Sequence, residues 1–151
     1  MSSKSIKEIR IDLARVMIDK YVESVGLTKE QTYHEEKDFW RWKHGSANIE
    51  VFVQSVKVGE EKTREYLRIF SYMADVPSLS LVAREKFLIK LLEMNDRNLG
   101  VKLTLMEGSN KVYATYERDI MGMDFGELAT CIADLEWWAD KLDDELKSFM
   151  N

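Results

Sequence analysis

Side chains suited to metal binding or catalysis are few in this sequence of 151 residues. Its two histidines, His34 and His44, fall in a polar stretch and at the end of a predicted strand, and the nearest combination with carboxylates is His34-Glu35-Glu36. Metal sites need several such ligands at a spacing that brings them together, and neither histidine has one. We therefore interpret the run His34-Glu35-Glu36 as solvated surface.

The single cysteine, Cys131, cannot form an internal disulfide, which suits a reducing compartment. It precedes Ile132 on a predicted helix and is interpreted as a small structural side chain, with a reactive thiol as the alternative. The glycines form no phosphate-binding loop and no nucleophile elbow. An enzyme would need Asp or Glu pairs assembled by the fold. We predict that the chain is not an enzyme and uses no metal and no cofactor.

Surplus aromatic residues are the stronger functional signal. Trp40 and Trp42 share one face of a predicted strand, and Tyr66, Phe70 and Tyr72 are interpreted as sharing a face of another, because side chains alternate along a strand. One interpretation places both sets in the core. The other leaves one set on an uncovered sheet face as a groove for a partner segment, since exposed apolar patches mark binding sites.

Two further tryptophans lie next to each other on the last predicted helix. Trp138 flanks the line of Leu135 and Leu142 and is expected to be buried, whereas Trp137 lies off this line, which predicts an edge or interface position. The candidate partner-binding residues are Trp40, Trp42, Tyr66, Phe70, Tyr72 and Trp137.

Composition predicts one compact domain over residues 1–151. The chain has a mass of 17.7 kDa and is 45% hydrophobic and 32% charged, with one proline. It has neither an apolar run of the roughly 18 residues that a membrane span needs nor an apolar signal-peptide block, so we expect a cytoplasmic protein without a membrane partner. The net charge of −5 is concentrated on the last helix. An acidic domain without a basic stripe repels phosphate, so no nucleic-acid partner is expected.

The first element is predicted to be a helix from about Ile6 to Val25. Ser5 and Glu8 form a capping-box pattern before it, and Gly26 follows its end. Segment 28–37 is polar and is predicted to be a loop or a short irregular helix. The apolar face of the first helix is predicted from the three- and four-residue spacing of Ile6, Ile9, Leu13, Val16, Met17 and Tyr21.

The rest of the chain is predicted to contain three strands, a central helix, two strands and a long helix. The third strand has apolar residues on both faces and is expected to be covered from two sides. Pro77, the only proline, ends it. The predicted ranges are 38–44, 49–58 and 64–74 for the strands, 81–98 for the central helix, 101–107 and 111–118 for the last strands, and a final helix after Asp124.

The last helix has the most regular pattern in the chain. Asp124 and Glu127 form its capping box. Its apolar spacing is that of a coiled-coil seam, but a helix on a sheet gives the same pattern, and the predicted open sheet favours that interpretation. The seam consists of Phe125, Leu128, Ile132, Leu135, Ala139, Leu142, Leu146 and Phe149.

The resulting order, α-β-β-β-α-β-β-α, resembles the YbjN family and the related type III secretion chaperone-like fold. The resemblance covers about residues 6–149, and its best-matching residues are Leu91, Leu92, Asn95, Gly100 and the hairpin that follows. It implies an α+β fold with a five-stranded antiparallel sheet and helices. It also implies a protein that often pairs into a dimer and acts by holding another protein.

The central helix is a candidate dimer surface, because in the resembling fold this helix commonly pairs with its symmetry mate. The candidate residues are Phe87, Leu88, Leu91 and Met94; the alternative is that the helix only caps the sheet edge. We predict a non-enzymatic protein-binding module, chaperone-like or regulatory, that captures a partner polypeptide through apolar surfaces. Alternatives are an assembly or signalling regulator that recognises one folded partner, and a small-molecule enzyme with a carboxylate site assembled by the fold.

Overall fold

A computed structural model describes residues 2–78 and 80–150. It has an α+β fold with four helices and one antiparallel sheet, as predicted, but the sheet has six strands where five were expected. The elements are α1 (Ile6–Ser24), α2 (Lys29–Thr32), β1 (Tyr33–His34), β2 (Phe39–His44), β3 (Ala47–Lys57), β4 (Thr63–Asp75), α3 (Leu81–Arg97), β5 (Lys102–Leu105), β6 (Lys111–Asp119) and α4 (Phe125–Met150).

The strands lie in the order β1-β2-β3-β4-β6-β5, and all neighbouring pairs are antiparallel. β4 is central: Ile69 lies opposite Val51 of β3 and opposite Tyr116 of β6. The short strands β1 and β5 form the two edges. This register decides which side chains share a face of the sheet.

The additional strand, β1, lies in the segment predicted to be a loop or a short irregular helix. That segment contains the one-turn helix α2 followed by Tyr33 and His34, which pair with Trp40 and Phe39. The ring of Tyr33 packs against Trp40 with their centroids 4.8 Å apart. A strand of two residues is too short to show an alternating pattern, so no pattern in the sequence predicted it.

α4 covers one face of the sheet, here called the inner face. It begins with the predicted capping box: the Glu127 amide donates to Asp124 (2.8 Å), and the Asp124 amide donates to Glu127 (3.3 Å). The helix packs on β3, β4 and β6, which confirms the sheet-packing interpretation. Phe125 is half-buried and Phe149 is exposed, but the other six seam residues are buried: Leu128, Ile132, Leu135, Ala139, Leu142 and Leu146.

α1 packs beside α4 with a face that shares only Tyr21, which is buried, and Met17, which is half-buried, with the predicted one. Its capping box, Ser5 with Glu8, is present. The helix buries Ala14, Ile18, Tyr21 and Val22, whereas the first four residues of the predicted face are between 52% and 69% exposed. Both sets recur at three and four residues, so periodicity could not choose between them. The exposed set, here called the α1 stripe, consists of Ile6, Ile9, Leu13 and Val16.

α3 lies against the edge strand β5 and beside α4. Lys90 and Arg97 form ion pairs with Glu145 of α4 at 3.2 and 2.7 Å. The Asn95 side chain accepts a hydrogen bond from the Leu103 amide (2.6 Å) and donates one to the Leu103 carbonyl (3.1 Å). α3 therefore caps the sheet edge, which was one of the two roles considered for it.

The prediction that the third strand is covered from two sides is wrong. β4 buries Leu67, Ile69, Ser71 and Met73 under the helices. Its alternate residues point to the opposite face, here called the outer face, on which no helix packs within residues 2–78 and 80–150. Those residues are large and partly apolar, which made the strand look buried on both sides. No helix in the same ranges is long and apolar enough to cross a bilayer.

Candidate partner-binding site

Four aromatic rings form a continuous cluster on the outer face. Strand alternation and register bring Phe52 of β3, Phe70 and Tyr72 of β4 and Tyr113 of β6 to the same side. Ring centroids are 5.4 Å apart for Phe52 and Phe70, 6.0 Å for Phe70 and Tyr113, and 5.7 Å for Tyr72 and Tyr113. This aromatic patch, Phe52, Phe70, Tyr72 and Tyr113, crosses the three central strands.

Arg68 is fixed between two rings of the aromatic patch. Its guanidinium carbon lies 4.6 Å from the Phe70 centroid and 5.9 Å from that of Phe52, within the range of cation–π attraction. The same group donates to Glu117 (2.7 and 3.2 Å) and to Gln54 (2.6 Å). The charge of Arg68 is thus already paired, and its flat side chain extends the surface of the patch.

Three hollows adjoin one another across the outer face. The first, about 410 Å³, lies beside Phe70, Leu105, Met106 and Tyr113; the second, about 390 Å³, lies between Arg41, Tyr72, Lys111 and Tyr113. The third, about 550 Å³, is lined by His34, Glu35, Glu36, Lys37, Phe39 and Arg41. Because Tyr113 borders the first two hollows and Arg41 the last two, the three form one shallow trough that crosses the strands.

The structure separates the two predicted aromatic sets. Trp40 and Trp42 are 2% and 6% exposed and belong to the core on the inner face. Their indole N–H groups donate to Asp19 (2.9 Å) and Glu136 (3.2 Å). Tyr66, Phe70 and Tyr72 are instead on the outer face: Tyr66 and Phe70 are half-buried and Tyr72 is 45% exposed. Of the two sets, only the second borders the trough, through Phe70 and Tyr72.

Trp137 lies on α4, away from the trough. It is 55% exposed, as its position off the helix seam predicted, while Trp138 is half-buried rather than buried. The two indole rings meet edge to face at 4.7 Å, and the Lys141 ammonium lies 4.8 and 5.2 Å from their centroids. Trp137 is thus an exposed aromatic residue on a second, separate surface.

The candidate dimer residues lie mostly inside the chain. Phe87, Leu91 and Met94 are 1%, 6% and 1% exposed and pack against the protein's own core, and only Leu88, at 38%, reaches the surface. These three buried side chains are not available to a second copy. The exposed apolar residues of the opposite side of α3, here called the α3 stripe, are Leu81, Leu88, Ile89 and Leu92.

Phe52, Arg68 and Tyr113 contribute to the outer face but were not among the predicted site residues. Phe52 lies in the run Val51-Phe52-Val53, where apolar neighbours hide the alternation. Tyr113 is one of two tyrosines in β6, and only its register opposite Tyr72 assigns it to the patch. The signal that could have found them is strand pairing, which one sequence does not supply.

A buried carboxylate connects three elements on the inner face. Glu136 of α4 is 4% exposed and accepts hydrogen bonds from the Tyr21 hydroxyl and the Trp42 indole, and it lies 3.0 Å from Nδ1 of His44. Burial, followed by the bond to Glu136, raises the pKa of Tyr21. In the described part of the chain, no three His, Cys, Asp or Glu side chains are arranged to hold a metal ion. Because Glu136 contacts Tyr21, Trp42 and His44, this cluster links α4 to α1 and β2.

Comparison of the sequence with protein-family models and with curated proteins found no match. The resemblance to the YbjN family therefore stays a prediction, and the function has to be proposed from the surfaces of the molecule.

Proposed function

We propose that this chain is a non-enzymatic protein-binding module that captures an exposed segment of a partner polypeptide on the outer face of its sheet. The observation that carries the proposal is the aromatic patch at the centre of an uncovered sheet face. Contiguous exposed apolar surface on a soluble fold marks interaction sites, and aromatic residues dominate the binding energy of such sites.

The shape of the trough favours a segment of chain over a small molecule. The trough is shallow and crosses the strands, whereas small-molecule sites are concave and enclose most of their ligand. Five intervals between six strands, at about 4.8 Å each, span roughly 24 Å, which is the length of about seven extended residues. A chaperone-like or regulatory role in the cytoplasm is part of the same proposal.

Binding to an array of overlapping peptides from unrelated proteins tests this function. We expect the folded protein to retain a subset of peptides and expect Phe70→Ser and Tyr113→Ser to lose them, because both changes remove rings from the patch. Val58→Ser is the matched control, since Val58 is 45% exposed in the turn after β3, outside the trough. The proposal would be contradicted if the wild type and the three variants retained the same peptides equally, or if none of the four retained any peptide.

A second candidate is recognition of one folded partner or of a second copy through the helices. The α1 stripe and the α3 stripe favour it, because each puts exposed aliphatic side chains on the side of its helix that faces away from the core. Sedimentation velocity over a range of concentrations tests for a second copy. Self-association weakened by Leu13→Lys or Leu92→Lys would assign the interface to α1 or α3, and a monomer at all concentrations would exclude a homodimer.

A further inference from the structure

We propose that the trough selects its segment by one aromatic side chain, which enters the first hollow beside Phe70, Tyr113 and Met106, and that the charge of the segment is not read. The occupant is an extended stretch of polypeptide with an exposed aromatic residue, whatever the charge of the residues next to it. This inference rests on the proposed function and specifies its partner.

The first hollow exists because two small side chains lie among large ones. Register places Thr115 of β6 opposite Phe70 of β4, and Thr104 of β5 opposite Tyr113. Thr115 is only 5% exposed, and its hydroxyl donates to the Lys102 carbonyl (3.4 Å), so this lining residue has no need of a polar partner from a ligand. A closed cavity of roughly 150 Å³ already holds benzene. The hollow, with about 410 Å³, therefore has room for a phenyl or indole ring.

The groups around the hollow favour a ring over an aliphatic side chain. The ring centroids of Phe70 and Tyr113 are 6.0 Å apart, and Met106, which is 45% exposed, contributes its thioether to the lining. Aromatic rings attract one another in offset and edge-to-face arrangements, and a sulfur atom adds a favourable contact with a ring edge. An aliphatic side chain gains only the burial of its area. An aromatic side chain therefore makes the better fit.

The charges along the trough favour neither sign. Both arginines that line it are paired: Arg68 lies 2.7 Å from Glu117, and Arg41 lies 3.6 Å from Glu50. With the remaining charged residues, four bases and five acids line the three hollows. A surface with so little excess charge neither attracts nor repels a segment by its charge. The remaining residues are the bases Lys37 and Lys111 and the acids Glu35, Glu36 and Glu107.

Fluorescence anisotropy with labelled seven-residue peptides tests both parts of the proposal. In the first series the central residue of an uncharged peptide is Phe, Leu or Ser. We expect the Phe peptide to bind about two- to tenfold more tightly than the Leu peptide and at least about tenfold more tightly than the Ser peptide. In the second series Phe is kept, and the residue two positions before it is Glu, Ser or Lys. These three should bind within about twofold of one another, in low and in high salt.

A variant that fills the first hollow tests where the ring binds. Thr104→Phe adds a ring to the lining from β5 without changing the aromatic patch or any charge. It should weaken binding of the Phe peptide by about the factor that separates the Phe and Ser peptides on wild type, and should change binding of the Ser peptide little. Thr130→Phe is the control, because it makes the same substitution on the exposed side of α4. Circular dichroism checks that both variants are folded.

The possible failures are distinguishable. If no peptide and no array member binds, the proposed function is wrong together with this inference. If Phe70→Ser abolishes binding but the Phe and Leu peptides bind wild type equally, or Thr104→Phe binds the Phe peptide as wild type does, the trough binds polypeptides without this selection and only the inference is overturned. A preference for the Glu or the Lys peptide that disappears in high salt would overturn its second part. An oligothymidine probe that binds more tightly than any peptide and is lost in Phe70→Ser would identify single-stranded nucleic acid as the occupant and overturn both proposals.

Discussion

The side-chain amide of Asn95 forms hydrogen bonds with both backbone polar groups of Leu103, at 2.6 and 3.1 Å. A residue of α3 thereby supplies to β5 the donor and the acceptor that a neighbouring strand would supply. Exposed strand edges pair readily with other chains, and proteins protect them with side chains or covering elements. Asn95 is therefore an edge-protecting residue.

Replacing Asn95 with Leu should destabilise the fold by about 1–3 kcal/mol, because the amide and carbonyl of Leu103 lose their partners in a half-buried setting. Urea unfolding followed by circular dichroism measures the change, and hydrogen exchange should show faster exchange of the Leu103 amide. Asp96→Ala, on the exposed side of the same helix, is expected to change the stability by no more than about 0.5 kcal/mol. If Asn95→Leu and Asp96→Ala reduced the stability equally, the loss would come from a general weakening of α3 and not from the bonds to Leu103.

Two glycines with positive φ offer a matched pair of substitutions. Gly100 (φ +78°) connects α3 to β5, and an added Cβ would lie 2.6 Å from the Tyr116 ring; Gly108 (φ +73°) has nothing within 4 Å of that position. Gly108→Ala should cost about 1–2 kcal/mol from backbone strain alone. Gly100→Ala should cost about 1–3 kcal/mol more, because the ring must move. Similar melting temperatures for the two variants would show that Tyr116 adjusts freely.

Substitution of Glu136 by Gln tests the buried cluster. The Tyr21 hydroxyl, the Trp42 indole and Nδ1 of His44 surround the carboxylate. A Gln amide has only one acceptor oxygen, so its NH₂ group would face a donor that is now unpaired. We expect a loss of about 1–3 kcal/mol in the free energy of unfolding. Asp144→Asn, an exposed change on the same helix, should leave that free energy within about 0.5 kcal/mol of wild type.

Tyr21 should make the protein sensitive to alkali. Burial and the bond to Glu136 raise the pKa of Tyr21 above its ordinary value of 10.0. A raised pKa in the folded state means that the stabilisation is present below about pH 10 and is lost as the pH rises further, because the unfolded chain then releases this proton. Urea unfolding at about pH 9 and pH 11 should show a steeper loss for wild type than for Tyr21→Phe, by up to about 1.4 kcal/mol per pH unit. Parallel losses would exclude Tyr21 as the cause.

Helix ends and the packing of α4 could be predicted from sequence because their causes are local. Ser5 with Glu8 and Asp124 with Glu127 bind amides within their own first turn, and six of eight seam residues of α4 are buried. Which face of α1 is buried could not be predicted in the same way. Two apolar sets recur at helical spacing on opposite sides of α1, and contact with β3, β4 and α4 selects between them.

The site was predictable only in part, because it depends on pairing between strands. Phe70 and Tyr72 were recognised as aromatic residues on one strand, but the register that adds Phe52 and Tyr113 to them is a long-range property. The Trp40 and Trp42 pair has the same two-residue spacing as the outer-face set and still lies in the core. Spacing assigned residues to a common face, and the position of the helices decided which face was covered.

The chain order places α4 after every strand that it covers, which has a consequence for biosynthesis. β2, β3 and β4 are neighbours in sequence and can pair soon after they leave the ribosome, but β6 joins β4 only after α3 and β5 have been made. Until α4 has also been made, Val51, Leu67 and Ile69 have no cover from Leu128, Ile132 and Leu135. Such half-covered sheets aggregate readily, so the yield of native protein should depend on translation rate and on the supply of holding chaperones.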